Sequence, residues 1–511
     1  MAGTAMMLDR STFEVRSPAD GRLLGTLPVD GETEVAAAVE AARRAQPAWG
    51  GVSARQRSRR MAELARVVER RADEIAACVI GETGKPRAEA LAGVVVVVDL
   101  IRHYVKAAPR HFRRRRVGAG WMLWKRAFVE REPLGVVGAI TPWNYPLILS
   151  MDAAVSALFG GNAVVIKPSE FTPLTALMIP DLCREAGLPE DLVRVVTGDG
   201  STGAALVRAG VDKISFTGST PVGRAVMAAA SESLTPVTLE LGGKDPAIVL
   251  EDADLDRAAR GIAFGGFFNA GQTCISIERV YVARSVADAF TERVVEVARS
   301  LRAGVDEDRD MGPIITRAQY AKVVRQIEDA LAKGARVLTG GIPPEGARVI
   351  QPTVLVDVDD SMEVVRDETF GPVLPVIPVD SEDEAVAKAN ASGYGLFASV
   401  WTRDRARGLR VARRLHAGGV SVNDSLSHYG VAALPMGGVG DSGFGRRRGR
   451  EGLDEMTTVR SLFVDIGGLR REPWWFPYGP RGERLTRAVL DLRGRGGLPG
   501  ALRAAKRMLG R

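Results

Sequence analysis

The chain has 511 residues, too many for a single hydrophobic core, so two or more domains are expected. Its composition, 46% hydrophobic and 26% charged, is typical of a globular protein. The net charge of +7 comes from the end of the chain, since residues 466–511 contain 11 Lys and Arg against 3 Asp and Glu, and this distribution argues against a nucleic-acid-binding protein.

The sequence shows no sign of a membrane span or of secretion. No run approaches the roughly 18 uninterrupted apolar residues that a membrane span needs. The first residues lack the basic and apolar segments of a signal peptide. Three cysteines, Cys78, Cys183 and Cys274, are too few for a disulfide framework. We therefore expect free thiols and a cytoplasmic protein.

Residues 31–112 show apolar residues at helical spacing. The valine run 94–98 lies between helical segments and is therefore expected to be a buried stretch of helix rather than a strand. Residues 113–133 predict an exposed hairpin with a glycine turn, which would present Trp121 and Trp124 on its surface. Such a hairpin would be a liability in a monomer, so we expect a subunit contact there.

From residue 135 onward, short β-branched runs alternate with helical stretches. The runs are residues 135–141, 162–168, 193–198 and 213–218. A second alternating block covers about residues 245–440. This alternation predicts parallel sheets with helices on their faces.

Three segments directly follow predicted strands, where ligands bind in parallel sheets. Asn144, in T-P-W-N-Y-P, can donate an amide N–H to an oxyanion, although a simple turn between two prolines explains it as well. Lys167 and Glu170 can hold ribose hydroxyls, or form a solvated ion pair. The run F-T-G-S-T-P-V-G, residues 216–223, predicts a helix start suited to a pyrophosphate, but it is not a full dinucleotide motif.

The pair of Glu240, in L-E-L-G-G-K-D-P, and Cys274, in F-N-A-G-Q-T-C-I-S, indicates covalent catalysis. A thiolate is a strong nucleophile. A carboxylate in an apolar segment is a candidate general base with a raised pKa. Further along, Glu368 can bind a second ribose, and Phe370 can pack against a nicotinamide or simply belong to the core.

These segments, in this order, resemble the aldehyde dehydrogenase superfamily over about residues 15–465. The pair E-L-G-G-K-D-P and G-Q-T-C carries most of the resemblance, and P-M-G-G-V-G-D-S-G-F-G, residues 435–445, supports it. The resemblance implies an α/β fold of two parallel-sheet domains with a β-strand oligomerisation flap. Its closest likeness is to a bacterial subgroup resembling succinate-semialdehyde dehydrogenases.

The resemblance also assigns roles to individual residues. It implies that Cys274 is the nucleophile, Glu240 the base and Asn144 the oxyanion donor, with no metal. Asn423 corresponds to a residue near the substrate entrance. The implied cofactor is NAD, with NADP possible, because Glu170 would repel a 2′-phosphate. The implied cofactor contacts are Thr141, Trp143, Lys167, Ser169, Glu170, Gly200, Phe216, Gly218, Ser219, Gly223, Leu241, Glu368 and Phe370.

The expected reaction oxidises an aldehyde to an acid through a thiohemiacetal and a thioester on Cys274. Leu147, Met151, Phe267 and Phe268 predict an apolar tunnel and hence a medium-chain or aromatic aldehyde. Succinate semialdehyde is the alternative substrate, although the helix after Asn144 offers no Lys or Arg to bind its carboxylate. A CoA-acylating enzyme is the alternative reaction.

The expected domain organisation follows the same resemblance. Residues 1–112 and 134–241 would form the dinucleotide-binding domain, 242–440 the catalytic domain, and 113–133 with 441–465 the flap of a homodimer or homotetramer. The basic amphipathic tail, 466–511, would contact a membrane surface or pack on its own oligomer. The arginine runs 113–116 and 446–448 are expected to be solvated or to lie at subunit contacts.

Overall fold

The computed structural model describes residues 11–472, 474–477, 479–494 and 498–508. They form two compact units, Met1–His111 with Pro133–Thr458, and Phe112–Glu132 with Val459–Arg511. None of the described helices is both long and apolar enough to cross a membrane.

The first unit begins with a hairpin and four helices. Their bounds are β1 Thr12–Arg16, β2 Leu23–Pro28, α1 Glu32–Gly50, α2 Ala54–Arg70, α3 Ala72–Thr83 and α4 Arg87–His111. The valine run lies in α4, as predicted, with Val94, Val97 and Val98 buried and Val95 58% exposed. The run is therefore part of a helix and not a strand, and three of its five valines face the protein interior.

Two strands of the second unit come next in the chain, β3 Arg115–Val117 and β4 Lys125–Pro133. They pair antiparallel, which confirms the predicted hairpin.

The middle of the chain forms a six-stranded sheet with helices between its strands. The elements are β5 Val136–Ile140, α5 Pro146–Gly160, β6 Ala163–Lys167, α6 Leu174–Leu177, α7 Ile179–Glu185, β7 Val193–Val195, α8 Gly200–Arg208, β8 Lys213–Thr217, α9 Thr220–Ser231 and β9 Val237–Glu240. Strands β7, β6, β5, β8 and β9 run parallel in that order, so the strand order reverses between β5 and β8. Ligands bind outside the carboxyl ends of strands at such a reversal.

A seven-stranded sheet follows, with order β12-β13-β14-β11-β10-β15-β16. Its elements are β10 Asp245–Val249, α10 Leu255–Phe267, β11 Ile277–Ala283, α11 Ala287–Ser300, α12 Arg317–Ala332, β12 Arg336–Thr339, β13 Thr353–Val356, α13 Glu363–Arg366, β14 Val373–Val379, α14 Glu382–Asn390, β15 Phe397–Trp401, α15 Arg405–Ala412 and β16 Gly419–Val422. Strands β5, β6, β8, β10 and β15 are buried along their whole length, as expected for parallel strands covered on both faces. The predicted α/β fold class is confirmed.

The last elements are β17 Gly443–Phe444, α16 Gly449–Asp454, β18 Thr457–Asp465, α17 Pro480–Gly494 and α18 Leu498–Met508. The short β17 pairs antiparallel with β9 at the edge of the six-stranded sheet. The range 441–465, expected to form part of the flap, thus includes a strand that pairs within the first unit.

The second unit contains a three-stranded sheet, with order β18-β4-β3, and the two terminal helices. Trp121, Trp124 and Trp474 form a cluster with ring centres 5.1 to 5.9 Å apart. The buried carboxylate of Glu472 accepts hydrogen bonds from the indole of Trp124 and from Lys125. The predicted exposed tryptophans are thus partly covered by the tail.

The tail is helical, as its pattern predicted. The sequence pattern predicts one apolar helical face in the tail, formed by Leu498, Leu502, Ala505 and Leu509. Of these residues, Leu502 is 58% exposed and Ala505 is also exposed, whereas the neighbouring Ala504 is buried. The other two predicted members of that face, the side chain of Leu498 and all of Leu509, lie outside the described residues.

Candidate active site

The candidate site lies where the two sheets of the first unit are joined in sequence. Four residues, 241–244, connect the carboxyl end of β9 to the amino end of β10. The segments that follow β5, β6, β8 and β9 therefore meet the segments that precede β10, β11 and β14. This topology brings the predicted catalytic segments together, since Asn144 follows β5, Glu240 ends β9, and Cys274 precedes β11.

The turn before Cys274 has an uncommon backbone. Asn269, Ala270 and Gly271 are all left-handed, with φ values of 54°, 55° and 71°. Only Gly271 adopts this conformation without steric cost, and a Cβ there would lie 2.2 Å from the carbonyl oxygen of Gly371. Such a conformation persists only where the surroundings hold it.

Gln272 anchors that turn. Its side chain donates to the backbone oxygens of Asn269 at 2.9 Å and Pro313 at 3.2 Å, and its Oε1 accepts the N–H of Ile315 at 2.8 Å. The G-Q-T-C motif thus carries a structural residue beside its nucleophile.

The Cys274 thiol faces a cavity but is poorly solvated. Burial raises its pKa well above the usual value, and the carboxylates of Glu240, Asp245 and Glu368 raise it further. The backbone N–H of Ile275 acts in the opposite direction by hydrogen bonding to the sulfur. The resting group is therefore a thiol, which must lose its proton before it can attack.

Asn144 is 3% exposed and lies directly against the nucleophile turn. Its Nδ2 donates to the backbone oxygen of Gln272 at 2.9 Å, which fixes the orientation of the amide. One amide proton is used in this bond, and the described residues supply no acceptor for the other. The structure thus brings together Asn144 and the Cys274 segment with one N–H free to stabilise an oxyanion.

Glu240 is buried, and burial raises the pKa of its carboxyl group. The guanidinium of Arg447, whose Nη1 lies 3.7 Å from Glu240 Oε2, opposes that shift. Arg447 is held in turn by Ser215, whose Oγ lies 2.9 Å from its Nη2. Glu240 Oε1 has no hydrogen-bond partner among the described residues, so this oxygen can accept a proton from water.

The expected solvation of the run 446–448 is wrong for two of its three residues. Arg447 and Arg448 are only 2% and 1% exposed. Arg448 lies 3.5 Å from the carboxylate of Asp152 and stacks over the ring of Tyr429 at 4.1 Å. Buried carboxylates underneath, which the sequence does not reveal, account for both burials.

An apolar cavity of about 250 Å³ opens on Cys274. Its wall includes Gly93, Ile148, Phe264, Phe268 and Leu426, and its described lining contains no Lys or Arg. Of the predicted tunnel residues, Phe268 lines it.

The other three predicted tunnel residues, Leu147, Met151 and Phe267, are packed in the protein interior and do not line the cavity. Asn423 is not a lining residue either, because both ends of its amide bond the backbone of Thr402, at 2.9 and 2.8 Å. It supports the loop after β15.

The residues predicted to hold the adenosine ribose lie together after β6. Lys167 Nζ is 3.7 Å from Glu170 Oε2, and Ser169 Oγ donates to the same carboxylate at 3.3 Å. Burial lowers the pKa of Lys167, while Glu170 and Asp199 raise it. Thr141, after β5, bonds the backbone oxygen of Lys167 through its N–H at 3.0 Å.

The start of α9 offers a place for a pyrophosphate. Ser219 is its N-cap and makes no capping hydrogen bond with its side chain. A Cβ on Gly218 would meet Phe216 at 2.6 Å, and one on Gly223 would meet Leu241 at 2.5 Å, so both glycines permit close packing around the helix start. Uncapped N–H groups at the reversal of strand order fit a dinucleotide phosphate.

Gly200 is the first residue of α8, and a Cβ added to it would have no described atom within 4 Å. It leaves open space beside the ribose residues.

A buried ion pair positions the predicted nicotinamide contacts. Lys244 Nζ lies 2.7 Å from Glu278 Oε2, and the Glu278 carboxylate accepts the N–H groups of Thr369 and Phe370, both at 2.7 Å. Phe370 is left-handed, with φ 54°.

The ring of Phe370 meets that of Trp143 edge to face, with ring centres 5.4 Å apart. Glu368 accepts the N–H of Gly243 at 3.1 Å, and burial raises the pKa of its carboxyl group to about 7. The donor and acceptor set is that of a ribose–nicotinamide site, so the residues present fit NAD or NADP.

Sequence reasoning missed several residues that support the site. Lys244 lies inside the motif L-E-L-G-G-K-D-P, but nothing in its spacing indicates Glu278 as its partner. Lys85 lies in the run E-T-G-K-P, residues 82–86, and Glu89 follows it, but that run alone indicates no role for either residue.

Comparisons with known proteins agree with this geometry. The family model described as "Aldehyde dehydrogenase family" matches residues 6–462. A 4,4′-diapolycopene aldehyde oxidase from Methylomonas sp is 41% identical over 484 residues, which cover 94% of this chain and 91% of the relative. A putative NADP(+) succinate-semialdehyde dehydrogenase from Mycolicibacterium smegmatis is 42% identical over 498 residues, with 95% and 96% covered.

Solved structures show the same fold. An NAD-dependent aldehyde dehydrogenase from Sinorhizobium meliloti aligns with a TM-score of 0.87 at 38% identity, over 91% of this chain and 93% of that one. A betaine aldehyde dehydrogenase from Staphylococcus aureus, solved with NAD+, aligns with a TM-score of 0.86 at 31% identity, over 92% and 94%. The chain therefore belongs to the aldehyde dehydrogenase family.

Proposed function

We propose that this protein oxidises an apolar aldehyde, of medium chain length or aromatic, to its carboxylic acid with NAD or NADP. The observation that supports it best is the cavity of about 250 Å³ that opens on Cys274, whose described lining is mostly apolar and contains no cationic side chain. Such a cavity favours a hydrocarbon chain attached to the reacting carbonyl.

In the first step, the thiol of Cys274 gives its proton to solvent water, and its sulfur adds to the aldehyde carbon while the carbonyl π electrons move to the oxygen, which gives a thiohemiacetal oxyanion. The free N–H of Asn144 donates to that oxygen as its charge develops. Burial, which opposes a resting thiolate, also strengthens this hydrogen bond because water is excluded.

The residues after β5, β6 and β8 and before β14 would hold NAD or NADP, which would supply the acceptor for the hydride that the thiohemiacetal carbon must lose. Phe370 and Trp143 would contact the nicotinamide, and Glu368 would bind the adjoining ribose. A thioester on Cys274 remains.

Glu240 then takes a proton from a water molecule, whose oxygen attacks the thioester carbon. The carboxylic acid leaves and the sulfur of Cys274 is regained. The partnerless Oε1 of Glu240 suits this role, and its raised pKa places a general base nearer to neutral pH.

Succinate semialdehyde is the second candidate substrate, favoured by the 42% identity to a relative described as acting on it. Its carboxylate would find no Lys or Arg in the described cavity lining, which favours the apolar aldehyde. A CoA-acylating reaction is a further alternative, opposed by the presence of Glu240 as a base for hydrolysis.

The test is reduction of NAD and of NADP by hexanal, decanal, benzaldehyde and succinate semialdehyde, with Cys274→Ala as the blank. We expect Cys274-dependent turnover that is fastest with decanal or benzaldehyde. Succinate semialdehyde as the best substrate would overturn the apolar assignment. Formation of acyl-CoA in place of acid when CoA is added would overturn hydrolysis.

We further propose that the three-stranded sheet of residues 113–133 and 457–465 forms a dimer or tetramer contact. Val459, Phe463 and Val464 expose 58%, 55% and 44% of their surface on β18. Apolar side chains so exposed on an edge strand call for a partner. Light scattering that shows a monomer at micromolar concentration would contradict this.

For the remaining boundaries we propose residues 1–112 with 134–241 as the dinucleotide domain and 242–440 as the catalytic domain.

The basic tail, 466–511, is proposed to touch anionic membrane surfaces, and co-sedimentation with phosphatidylserine vesicles tests this. The unpaired cysteines suit a reducing cytoplasm.

A further inference from the structure

Two charged residues, Lys85 and Glu89, contact the two predicted catalytic segments; Lys85 is buried and Glu89 is half-buried. Lys85 is 3% exposed, its Nζ donates to the backbone oxygen of Asn144 at 2.9 Å, and it lies 4.2 Å from the ring centre of Tyr145. Glu89, in the first turn of α4, accepts the N–H of Asn269 at 3.1 Å and lines the cavity that contains Cys274.

These contacts complete a hydrogen-bond network between Asn144, the proposed oxyanion donor, and the turn 269–271 that leads to Cys274. The side-chain amide of Asn269 donates to the backbone oxygens of Asn144 at 3.3 Å and Gln272 at 3.0 Å. Asn144 in turn donates to the same oxygen of Gln272. Lys85 therefore anchors this network at Asn144, and Glu89 anchors it at Asn269.

The Glu89 contact falls where the backbone needs support. Asn269 is the first of the three left-handed residues that lead to Cys274, and a non-glycine residue in that conformation is strained. A hydrogen bond from its N–H to a carboxylate is stronger than one to a neutral oxygen. Removing that acceptor would let the turn relax and move the sulfur.

Burial makes the charged forms of Lys85 and Glu89 unfavourable, and packing alone does not require charged residues at these two positions. Burial raises the pKa of Glu89 to about 7 and lowers that of Lys85 to about 8, and each residue partly offsets the shift of the other. Arg309 also favours the Glu89 carboxylate, while the hydroxyl of Tyr145 faces it. A buried pair of this kind adds little to stability compared with apolar residues of similar size.

We infer that Lys85 and Glu89 are positioning residues that fix the spacing between the Asn144 amide and the sulfur of Cys274, and so control the acylation step. The inference rests on the roles proposed above for those two residues. A displacement of about 1 Å in such a site can cost on the order of 100-fold in rate.

The test compares Glu89→Ala with Glu89→Gln in the first-turnover burst of reduced cofactor, at saturating NAD. We expect Glu89→Ala to lower the burst rate constant by about tenfold or more with little change in KM, because binding is retained while alignment is lost. Glu89→Gln keeps an acceptor for the N–H of Asn269 and should restore most of the rate.

Glu82→Ala is the matched control. Glu82 is buried, its pKa is also raised to about 7, and it accepts the N–H of Thr175 at 3.0 Å, away from the nucleophile turn. It should lower the melting temperature about as much as Glu89→Ala while the burst rate stays within roughly twofold of wild type.

A second readout does not depend on turnover. The rate at which iodoacetamide alkylates Cys274, without cofactor, should change in Glu89→Ala and in Lys85→Met but not in Glu82→Ala. Lys85→Met also serves if Glu89→Ala does not fold.

Equal burst rates in Glu89→Ala and wild type, equal losses in the Ala and Gln variants, or equal losses in the Glu89 and Glu82 variants would each overturn the inference. If wild type gives no Cys274-dependent formation of reduced cofactor with any aldehyde, the proposed function fails instead, and the alkylation comparison still decides the positioning role.

Discussion

The proposed apolar substrate predicts chain-length selectivity, and Gly93, in the wall of the cavity on Cys274, is the position expected to control it. Gly93 is a wall residue in α4, and a Cβ added there would make ordinary 3.5 Å contacts with Ile148. A leucine at this position is therefore accommodated at its base, while its remaining carbons must enter the cavity of about 250 Å³. The helix itself gains, since glycine is the weakest helix former after proline.

The expected size of the effect follows from the carbons displaced. Leucine adds three carbons beyond its Cβ, which would exclude about three substrate methylenes at about 0.8 kcal/mol each, or about 2.4 kcal/mol and roughly 60-fold in kcat/KM. Gly93→Leu should thus lower kcat/KM for decanal by that factor relative to propanal. The assay is steady-state reduction of NAD with both aldehydes.

Val95→Leu is the control for this prediction, because Val95 lies two residues away on the same helix but is 58% exposed. Its ratio of decanal to propanal activity should equal that of wild type. If Gly93→Leu lowers activity on both aldehydes equally, or leaves the ratio unchanged, the cavity does not hold the substrate chain.

Three further outcomes are expected. Asn144→Ala should slow the burst on the order of 100-fold with NAD affinity unchanged, because the oxyanion loses its proposed donor while the proposed cofactor contacts are kept; a normal burst, followed by stopped flow, would exclude that role. Arg447→Met removes the cation that lowers the pKa of Glu240 most, so that pKa rises and the base-dependent limb of thioester hydrolysis moves to higher pH, with a tenfold loss of rate per pH unit below the new pKa; the pH profile should stay in place in the exposed Arg450→Met. Glu170→Ser should raise the NADP to NAD ratio of kcat/KM by about tenfold, the equivalent of one charge-assisted hydrogen bond, and an unchanged ratio would mean that Glu170 does not read the ribose.

The sequence predicted the features that depend on local pattern. Alternating strands and helices indicated both sheets, and the motifs after β5, β6 and β8 lie at the carboxyl ends that βαβ topology requires. The assigned roles of Cys274, Glu240 and Asn144 remain predictions, but all three residues lie where the two sheets are joined.

Side-chain orientation in fully buried elements could not be predicted. Every residue of α5 is buried, so its sequence has no polar face from which helical phase can be read. The sequence therefore predicts Leu147 and Met151 as cavity residues, whereas Ile148 lines the cavity. Helix α10 then ends at Phe267, and Phe268 has a non-helical backbone with φ −55° and ψ 134°, so the two side chains do not follow one helical phase.

Buried charge partners were equally invisible in sequence. A run of three arginines is typical of a solvated face, and only the tertiary structure places Glu240 and Asp152 beside Arg447 and Arg448. The two-residue strand β17 carries too little pattern to be recognised at all.

The suppressed ionisation of Cys274 has a consequence for the lifetime of the enzyme. Peroxides and other electrophiles react with the thiolate form of cysteine. A sulfur that stays protonated between turnovers is therefore oxidised slowly. The carboxylates that surround it, and the low polarity of the cavity, thus shield the nucleophile chemically while leaving it open to a neutral aldehyde. The same burial that delays its activation preserves it for the next substrate.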